Sequence, residues 1–202
     1  MDSNRLVIAS HNAKKAGEMV RILSERFPNV EIVTLADYPG APEPEETGIT
    51  YQENAIIKAE SAAEFTGEWC VADDAGLEID AIPEELGVWS KRFAGEDTPF
   101  GEKMRLVLEK LGALPDEQRG ARFNCWVALS KSGYATQTFQ GVCEGRIADR
   151  QIGEGGFGYD PIFFLPQLGC TMAQLTAEEK AAISHRGKVL RLLSDFLAER
   201  GW

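Results

Sequence analysis

Apolar and polar positions alternate in two different periods along the first part of the chain. Residues 5–9 (RLVIA) form a short apolar run that predicts a buried strand, and residues 30–35 alternate like a second strand. Between them, apolar residues recur at helical spacing until Pro28, and they predict a helix: Met19, Val20, Leu23 and Phe27. The chain therefore opens on a strand–helix–strand pattern.

Local signals mark where further helices begin and end. Residues 50–53 (TYQE) and 176–179 (TAEE) are capping boxes, in which the threonine hydroxyl and the glutamate carboxylate each accept a backbone N–H. Residues 98–99 (TP) predict another helix start, and Gly112 predicts its end. A final helix is expected from about residue 187 to 199 on its apolar spacing.

The remaining apolar runs predict strands. Residues 69–72 form a run that ends in a pair of aspartates, and residues 77–82 alternate again. Residues 122–130 and 134–142 predict a hairpin around a Lys-Ser-Gly turn, and residues 161–165 a further short strand. Helices alternate with strands early and a hairpin follows, which indicates an α/β protein with a mixed central sheet.

Composition narrows the class of protein. The chain has 202 residues, 44% hydrophobic and 26% charged, which is ordinary for a globular protein and excludes disorder. The net charge of −11 argues against a protein that coats nucleic acid, although a small phosphorylated ligand needs only a local basic pocket. No apolar run approaches the roughly 20 residues of a membrane span, and the first residues do not read as a signal peptide.

The four cysteines predict free thiols rather than a disulfide framework. They form no CxxC motif, and no pair has zinc-ligand spacing with a histidine: Cys70, Cys125, Cys143 and Cys170. Buried free thiols are typical of a reducing compartment, so we expect a cytoplasmic protein.

A polar turn after the first strand is the first candidate for chemistry. It comprises Ser10, His11, Asn12, Ala13, Lys14 and Lys15. A strand, a turn and a helix start direct free backbone N–H groups and a partial positive charge to one point, which suits a phosphate. The turn lacks the glycines of a P-loop or of GxGxxG. The alternative is a plain capped turn with solvated lysines.

Carboxylates form the second candidate. Asp73 and Asp74 follow an apolar run, and Glu46 lies in an acidic, proline-rich loop earlier in the chain. Magnesium takes oxygen ligands of this kind and keeps several waters and substrate phosphates, and one carboxylate could instead activate a water. The alternative is an ordinary turn after a strand, where aspartate is common.

Two later segments could recognise a flat ligand. Glycines flank aromatic residues in the segment 153–161, which contains Phe157, Gly158, Tyr159 and Asp160 and could stack on a planar group. His185 and Arg186, shortly after Lys180, supply donors suited to carbonyl oxygens, and two cations at a helix start favour an anionic or carbonyl partner. The alternatives are a glycine-rich turn with core aromatics and a solvated helix start.

Taken together and in this order, these segments resemble the inosine-triphosphate pyrophosphatase family, whose members hydrolyse non-standard purine nucleoside triphosphates. The resemblance covers almost the whole chain. It rests on SHNAKKAGEM, EETGITYQENAIIKAE, VADDAGLEIDAI, WSKRFAGE, ARFNC, GGFGYDPIFF and LTAEEKAAISHRGK. The glycine–aromatic block and SHRG are the most specific of these segments.

The resemblance implies roles on the phosphate side of the ligand. Ser10, Asn12 and Lys15 match a motif that holds the phosphates, and Lys58 matches a lysine that faces them. Metal and catalytic roles fall on the acids. Glu46 matches a metal ligand, Asp74 a metal ligand and proton acceptor, and Asp73 is a further candidate ligand.

The resemblance also implies a base-binding wall. Phe157 would stack on the purine, with Gly158, Tyr159 and Asp160 completing the wall. Lys180, His185 and Arg186 match nucleotide contacts, the last two near the 6-keto edge of the base. Three residues depart from the family pattern: His11 stands where glycine is common, Ala75 where serine is common and only a backbone N–H contact survives, and Cys170 where some members have lysine.

The resemblance implies a magnesium-dependent hydrolase that forms one domain, residues 1–202. Such an enzyme hydrolyses ITP, dITP or XTP to the monophosphate and pyrophosphate, and so cleanses the nucleotide pool. The family implies a mixed sheet flanked by helices, two lobes with the active site in the cleft between them, and a homodimer. Alternatives are a pyrophosphatase for other modified nucleotides, a nucleotide sensor without catalysis and, against the charge, a nucleic-acid-binding module.

Overall fold

The computed structural model describes residues 5–202, which contain five helices and seven strands within that range. The helices are α1 (Ala13–Arg26), α2 (Tyr51–Thr66), α3 (Phe100–Leu111), α4 (Ala177–Ile183) and α5 (His185–Ala198). The strands are β1 (Arg5–Ile8), β2 (Glu31–Thr34), β3 (Trp69–Ile79), β4 (Gly120–Ser130), β5 (Gln137–Ile147), β6 (Phe163–Leu165) and β7 (Cys170–Thr171). None of the helices in this range is both long and apolar enough to cross a bilayer.

The strands form one mixed sheet in the order β2-β1-β3-β4-β5-β6-β7. β1 is parallel to both neighbours, and Val7 pairs with Val33 on one side and Cys70 on the other. β6 is antiparallel to β5 and to β7. Parallel strands need helical crossovers, which α1 and α2 supply, so the predicted α/β class with a mixed sheet is confirmed.

The chain divides into two compact units. The first unit comprises the residues up to Asp74, Cys125–Gly141 and Arg186–Trp202, and the second comprises Ala75–Asn124 and Val142–His185. The prediction that residues 1–202 act as one pyrophosphatase domain, and the predicted position of the active site in a cleft between two lobes, stay predictions.

Alanines of α2 shape the core of the first unit. This core contains Val7, Ala9, Leu35, Ala55, Ala59, Ala62, Ala63, Cys70, Ala72 and Ala128. Side chains four residues apart lie on one face of a helix, so the small residues at 55, 59 and 63 let α2 pack closely on the strands. The polar residues of α2 that lie near the sheet are therefore brought close to β3.

A larger apolar cluster forms the core of the second unit. Met104, Val107 and Leu111 of α3 follow the predicted helical spacing and are buried against Leu77 and Phe163 among others. The N-cap of α3 is Pro99 rather than the predicted Thr98, and Gly112 ends the helix as predicted.

The structure corrects the prediction for the residues around the aspartate pair. Residues 69–72 and 77–82 are not two strands, because β3 runs without interruption from Trp69 to Ile79 and contains both aspartates. The pairing with β1 ends earlier, where Ile8 lies opposite Val71. Asp73 and Asp74 thus stay in an extended strand but lie beyond the end of β1, beside the turn that leads into α1.

Other boundaries shift by a few residues. The helices with capping boxes, α2 and α4, begin where predicted, and both halves of each box form. α5 begins at His185, two residues before the predicted start. β4 and β5 are neighbours in the sheet, as the predicted hairpin requires, and the two-residue strand β7 was not predicted.

Candidate functional site

The turn after β1 is built by its own polar side chains. Asn12 is the N-cap of α1, and its Oδ1 accepts from the backbone N–H groups of Lys14 and Lys15 at 3.1 and 3.2 Å. The hydroxyl of Ser10 accepts from the backbone N–H of Asn12 at 3.3 Å. The side-chain oxygens of Ser10 and Asn12 thus organise the turn through backbone N–H groups.

The same turn contacts the acidic loop of the first unit. Nε2 of His11 lies 3.2 Å from the carbonyl oxygen of Pro42. His11, Ala13 and Lys14 are exposed, whereas Lys15 is half-buried. Of the two lysines in the turn, Lys15 is therefore the one held against the protein.

Lys15 belongs to a network of four charged groups in the first unit. Its ammonium lies 3.5 Å from Oδ2 of Asp73, and the same oxygen accepts from NH2 of Arg186 at 2.7 Å. NH1 of Arg186 donates to Glu18 at 2.6 Å. Since the side chains of Asp73 and Arg186 are 1% and 2% exposed, two cations and two anions offset each other inside the protein.

The network fixes the ionisation of Asp73. Burial opposes its charge, but the charges of Arg186, Lys15 and Lys58 outweigh burial and hold the pKa of Asp73 well below its usual range. Its Oδ1 is buried and has no hydrogen-bond partner among the described residues. Asp73 is therefore an anion with one oxygen committed to the network and the other available.

Lys58 brings the acidic loop and the strand together. Its ammonium lies 2.9 Å from Oε1 of Glu46 and 2.9 Å from Oδ1 of Asp74. Burial raises the pKa of Asp74, and the charges of Lys58 and Lys15 counteract this only in part. The pKa of Lys58 is raised because the surrounding carboxylates outweigh its burial. Two carboxylates and a cation are thus gathered at one point.

Asn54 is a site residue that the sequence analysis did not identify. It is buried in the first turn of α2, and it contacts both the acidic loop and Asp74. Its signal in the sequence is weak, since it is one of three consecutive polar residues, 52–54, at the start of α2. Glu18 was also missed, and nothing in its local sequence distinguishes it from other helical glutamates.

In the second unit, Asp160 organises the glycine–aromatic block. Its Oδ2 accepts from the backbone N–H of Phe157 at 2.8 Å and from the ammonium of Lys180 at 2.6 Å. The same ammonium lies 4.5 Å from the centre of the Phe157 ring. Gly156 has φ +70°, and a Cβ there would collide with the Asp160 carboxylate. Phe157, Asp160 and Lys180 therefore form one connected group.

The remaining predicted residues of the second unit are mostly anchored in its core. The hydroxyl of Tyr159 donates to the carbonyl of Ser90 at 2.9 Å, and its ring is buried. His185 is buried, with its ring stacked on Phe123 at 4.7 Å. Gly158 has φ +67°, and Ala75 is half-buried in β3. Base-binding roles for these residues stay predictions.

The structure thus groups the predicted residues in two sets. In the first unit, one group of contacts joins Lys15, Asp73 and Arg186 and another joins Glu46, Lys58 and Asp74, and the two groups meet at the adjacent residues Asp73 and Asp74. The second unit brings together Phe157, Asp160 and Lys180. Arg186, predicted to read the base, is held by Asp73 and Glu18 instead, so its contact with a base stays a prediction.

Comparisons with known proteins match almost the whole chain. A sequence model of the Ham1 family matches residues 6–196. A dITP/XTP pyrophosphatase of Exiguobacterium sibiricum is 46% identical over 199 residues, covering 96% of this chain and 100% of that protein. The Ham1 protein of Staphylococcus aureus has a TM-score of 0.86 at 40% identity, covering 97% of this chain and 99% of that one. A HAM1 protein from Coxiella burnetii has a TM-score of 0.85 at 43% identity, covering 96% of this chain and 98% of that one.

Proposed function

The chain belongs to the Ham1 family, and from this premise we propose that it hydrolyses the non-standard purine nucleoside triphosphates dITP, ITP and XTP to the monophosphate and pyrophosphate. Relatives named dITP/XTP pyrophosphatase support the substrate class. The observation that carries the proposal is the cluster of Lys15, Lys58 and three carboxylates in the first unit. Such a cluster suits a triphosphate and its counter-cation.

We assign the triphosphate to the turn after β1 and the lysines beside it. Backbone N–H groups at the start of α1 carry a partial positive charge, and Lys15 adds a full one. Lys58 would donate to the phosphates when its ammonium is not shared by Glu46 and Asp74. These groups would offset the charge that builds on pyrophosphate as it leaves the α-phosphorus.

Asp74 is the residue we assign to the reaction with water. An attacking water must lose a proton as its oxygen bonds to the α-phosphorus and the bond to pyrophosphate breaks. Burial raises the pKa of Asp74, which makes its carboxylate a stronger proton acceptor than an exposed aspartate. Its Oδ1 and Oδ2 are held by Lys58 and Asn54, so the carboxylate has a fixed orientation.

The carboxylates fit a magnesium ion. Among residues 5–202, no group of three or more His, Cys, Asp or Glu side chains is arranged as a metal cluster. Magnesium needs fewer protein ligands, since it usually binds one or two carboxylates together with waters and substrate phosphates. Glu46 and Asp74 both contact the ammonium of Lys58. Asp73, next to Asp74 in the chain, has a buried Oδ1 without a hydrogen-bond partner among the described residues. The bound ion would supply charge neutralisation at the phosphates.

We assign the purine to the second unit. The ring of Phe157 is half-buried, and Asp160 and Lys180 fix its position, which suits stacking on a flat base. Inosine and xanthosine present an acceptor at the 6-position and adenosine a donor. A donor such as His185 would pair with the first and be left unpaired by the second, at a cost of about 1–3 kcal/mol.

A substrate panel tests this function. Release of pyrophosphate is measured from dITP, XTP, dATP and dGTP with Mg²⁺ and after chelation. We expect dITP and XTP to be hydrolysed about 10–100-fold faster than dATP, and activity to be lost on chelation. Equal rates for dITP and dATP would contradict the assignment of the base site, and release of inorganic phosphate instead of pyrophosphate would contradict the reaction.

The same substitution at two lysines, one in the proposed phosphate site and one outside it as a control, tests the phosphate site. Lys58→Met should abolish most turnover, whereas Lys188→Met, at an exposed position of α5, should not. Similar losses in both variants would show that Lys58 has no special role.

Two further properties belong to the proposal. All four cysteines are free thiols, which supports a cytoplasmic location. We also propose a homodimer, which sedimentation equilibrium of the purified protein tests directly, because a monomer mass would contradict it.

A further inference from the structure

The side chain of Asn54 joins two parts of the first unit that carry predicted metal ligands. It is 3% exposed. Its Oδ1 accepts from the backbone N–H of Gly48 at 2.9 Å, and its Nδ2 donates to Oδ2 of Asp74 at 3.4 Å. Gly48 lies two residues after Glu46 in the acidic loop. One amide therefore connects the loop that bears Glu46 to the strand that bears Asp74.

The acidic loop is fastened to α2 at three successive N–H groups. Oε2 of Glu53 accepts from Ile49 and Thr50 at 2.8 and 3.0 Å, and Asn54 accepts from Gly48. A Cβ at Gly48 would lie 2.6 Å from Oδ1 of Asn54 and 2.6 Å from Cβ of Glu53, so the close approach of the loop to the first turn of α2 requires glycine. The loop thus enters the helix at a fixed position, set by side chains of the first helical turn.

One helical turn later, Lys58 contacts the same loop, through Glu46, and the same aspartate, Asp74. Residues four apart lie on one face of a helix, so Asn54 and Lys58 stand side by side. The two contacts differ in kind. The ammonium of Lys58 holds Glu46 and Asp74 through charge, and any other cation competes with it. Asn54 is neutral and uses a backbone N–H at one end, so a cation between the carboxylates leaves its contacts in place.

We propose that Asn54 is a positioning residue that sets the distance between Glu46 and Asp74, whichever cation lies between them. The role needs an acceptor at one end and a donor at the other, which an amide supplies and a carboxylate or an alkyl group does not. The consequence for turnover rests on the proposed function, whereas the consequence for the acidic loop does not.

Asn54→Ala tests the role with little risk to the helix, because alanine is the best helix former and already occupies much of α2. Gln52→Ala is the matched control, since it removes an amide from the same turn, where Gln52 donates to Thr138 at 2.9 Å. In Asn54→Ala, amide hydrogen exchange at Gly48 should accelerate about tenfold or more, while Ile49 and Thr50 keep their protection. Gln52→Ala should leave Gly48 unchanged.

Turnover of dITP provides the second readout. A misplaced carboxylate pair lowers kcat more than it raises KM, so Asn54→Ala should lose about 10–100-fold in kcat with KM within about threefold. Gly48→Ala should lose at least as much, because a Cβ at that position collides both with Oδ1 of Asn54 and with Cβ of Glu53.

Three outcomes would overturn the proposal. Unchanged exchange at Gly48 in Asn54→Ala would show that the connection is not made in solution. Faster exchange with normal kcat would show that it positions nothing. If the wild-type protein does not hydrolyse dITP, the proposed function fails. In that case, calorimetric titration with Mg²⁺ alone tests the role of Asn54. Weaker Mg²⁺ binding in Asn54→Ala than in the wild type supports the role, and equal binding overturns it.

Discussion

Replacement of Asp160 by asparagine probes the dependence of the glycine–aromatic block on one buried ion pair. The ammonium of Lys180 lies 2.6 Å from Oδ2 of Asp160, and the two side chains are 8% and 3% exposed. Asparagine has nearly the same size and can still accept from the N–H of Phe157, but it removes the opposing charge. Removing one partner of a buried pair typically costs about 3–5 kcal/mol. Urea denaturation of Asp160→Asn should therefore show a free energy of unfolding lower by about that amount.

An exposed pair in the same unit gives the matched control. Asp149 lies 3.0 Å from Arg150, and both side chains are 72% exposed. Exposed pairs contribute about 0–1 kcal/mol, because water screens both charges. Asp149→Asn, the same chemical change, should therefore lose no more than about 1 kcal/mol.

A second substitution identifies the source of the cost. If the loss in Asp160→Asn comes from an uncompensated ammonium, adding Lys180→Met removes that charge and should restore part of the stability. The reasoning is refuted if Asp160→Asn costs no more than Asp149→Asn. It is also refuted if Lys180→Met destabilises the Asp160→Asn protein further by a similar amount, since the ammonium would then not be the source.

Three further predictions concern other parts of the molecule. Asp74→Asn should lower kcat for dITP by about 10²–10⁴-fold with a much smaller change in KM, and a variant that keeps most of its turnover would contradict the assigned proton acceptor. Hydrogen bonds from Ile49 and Thr50 lower the pKa of Glu53, so its stabilisation is present at neutral pH and lost as pH falls through that lowered pKa. The urea midpoints of wild type and Glu53→Gln should accordingly converge in acid. With a thiol reagent at pH 8, half-exposed Cys170 should react fast. Burial raises the pKa of Cys125 to about 12, so this thiol should stay unreactive until urea unfolds the protein.

Local hydrogen bonds explain which elements the sequence predicted well. The capping box at Thr50 and Glu53 involves groups three residues apart, so its geometry depends on little else, and α2 begins where expected. The α/β class also followed from short-range periodicity. The resemblance in turn identified residues that the structure does gather, such as Lys58, Glu46 and Asp74.

Strand boundaries depend on neighbours that the local sequence does not contain. Two adjacent aspartates favour a turn in isolation, and residues 69–72 therefore predicted a strand that ends before them. In the structure, β3 lies between β1 and β4 in the sheet and continues past the last β1 pair, Ile8 and Val71. Sheet pairing outweighs the local turn preference, and this is why Asp73 and Asp74 form part of an extended strand rather than a loop.

Arg186 shows how far an electrostatic argument from sequence can reach. Two cations at the start of α5 conflict with the helix dipole, and the conflict indicates an anionic or carbonyl partner. The structure supplies anions, but they are carboxylates of the protein: Asp73 is 113 residues away in the chain and Glu18 is 168 residues away. With 32 acidic residues in the sequence, local pattern cannot select these two. A cation at a helix start therefore predicts that an anion is near, and only the tertiary structure decides whether that anion is a ligand or a side chain.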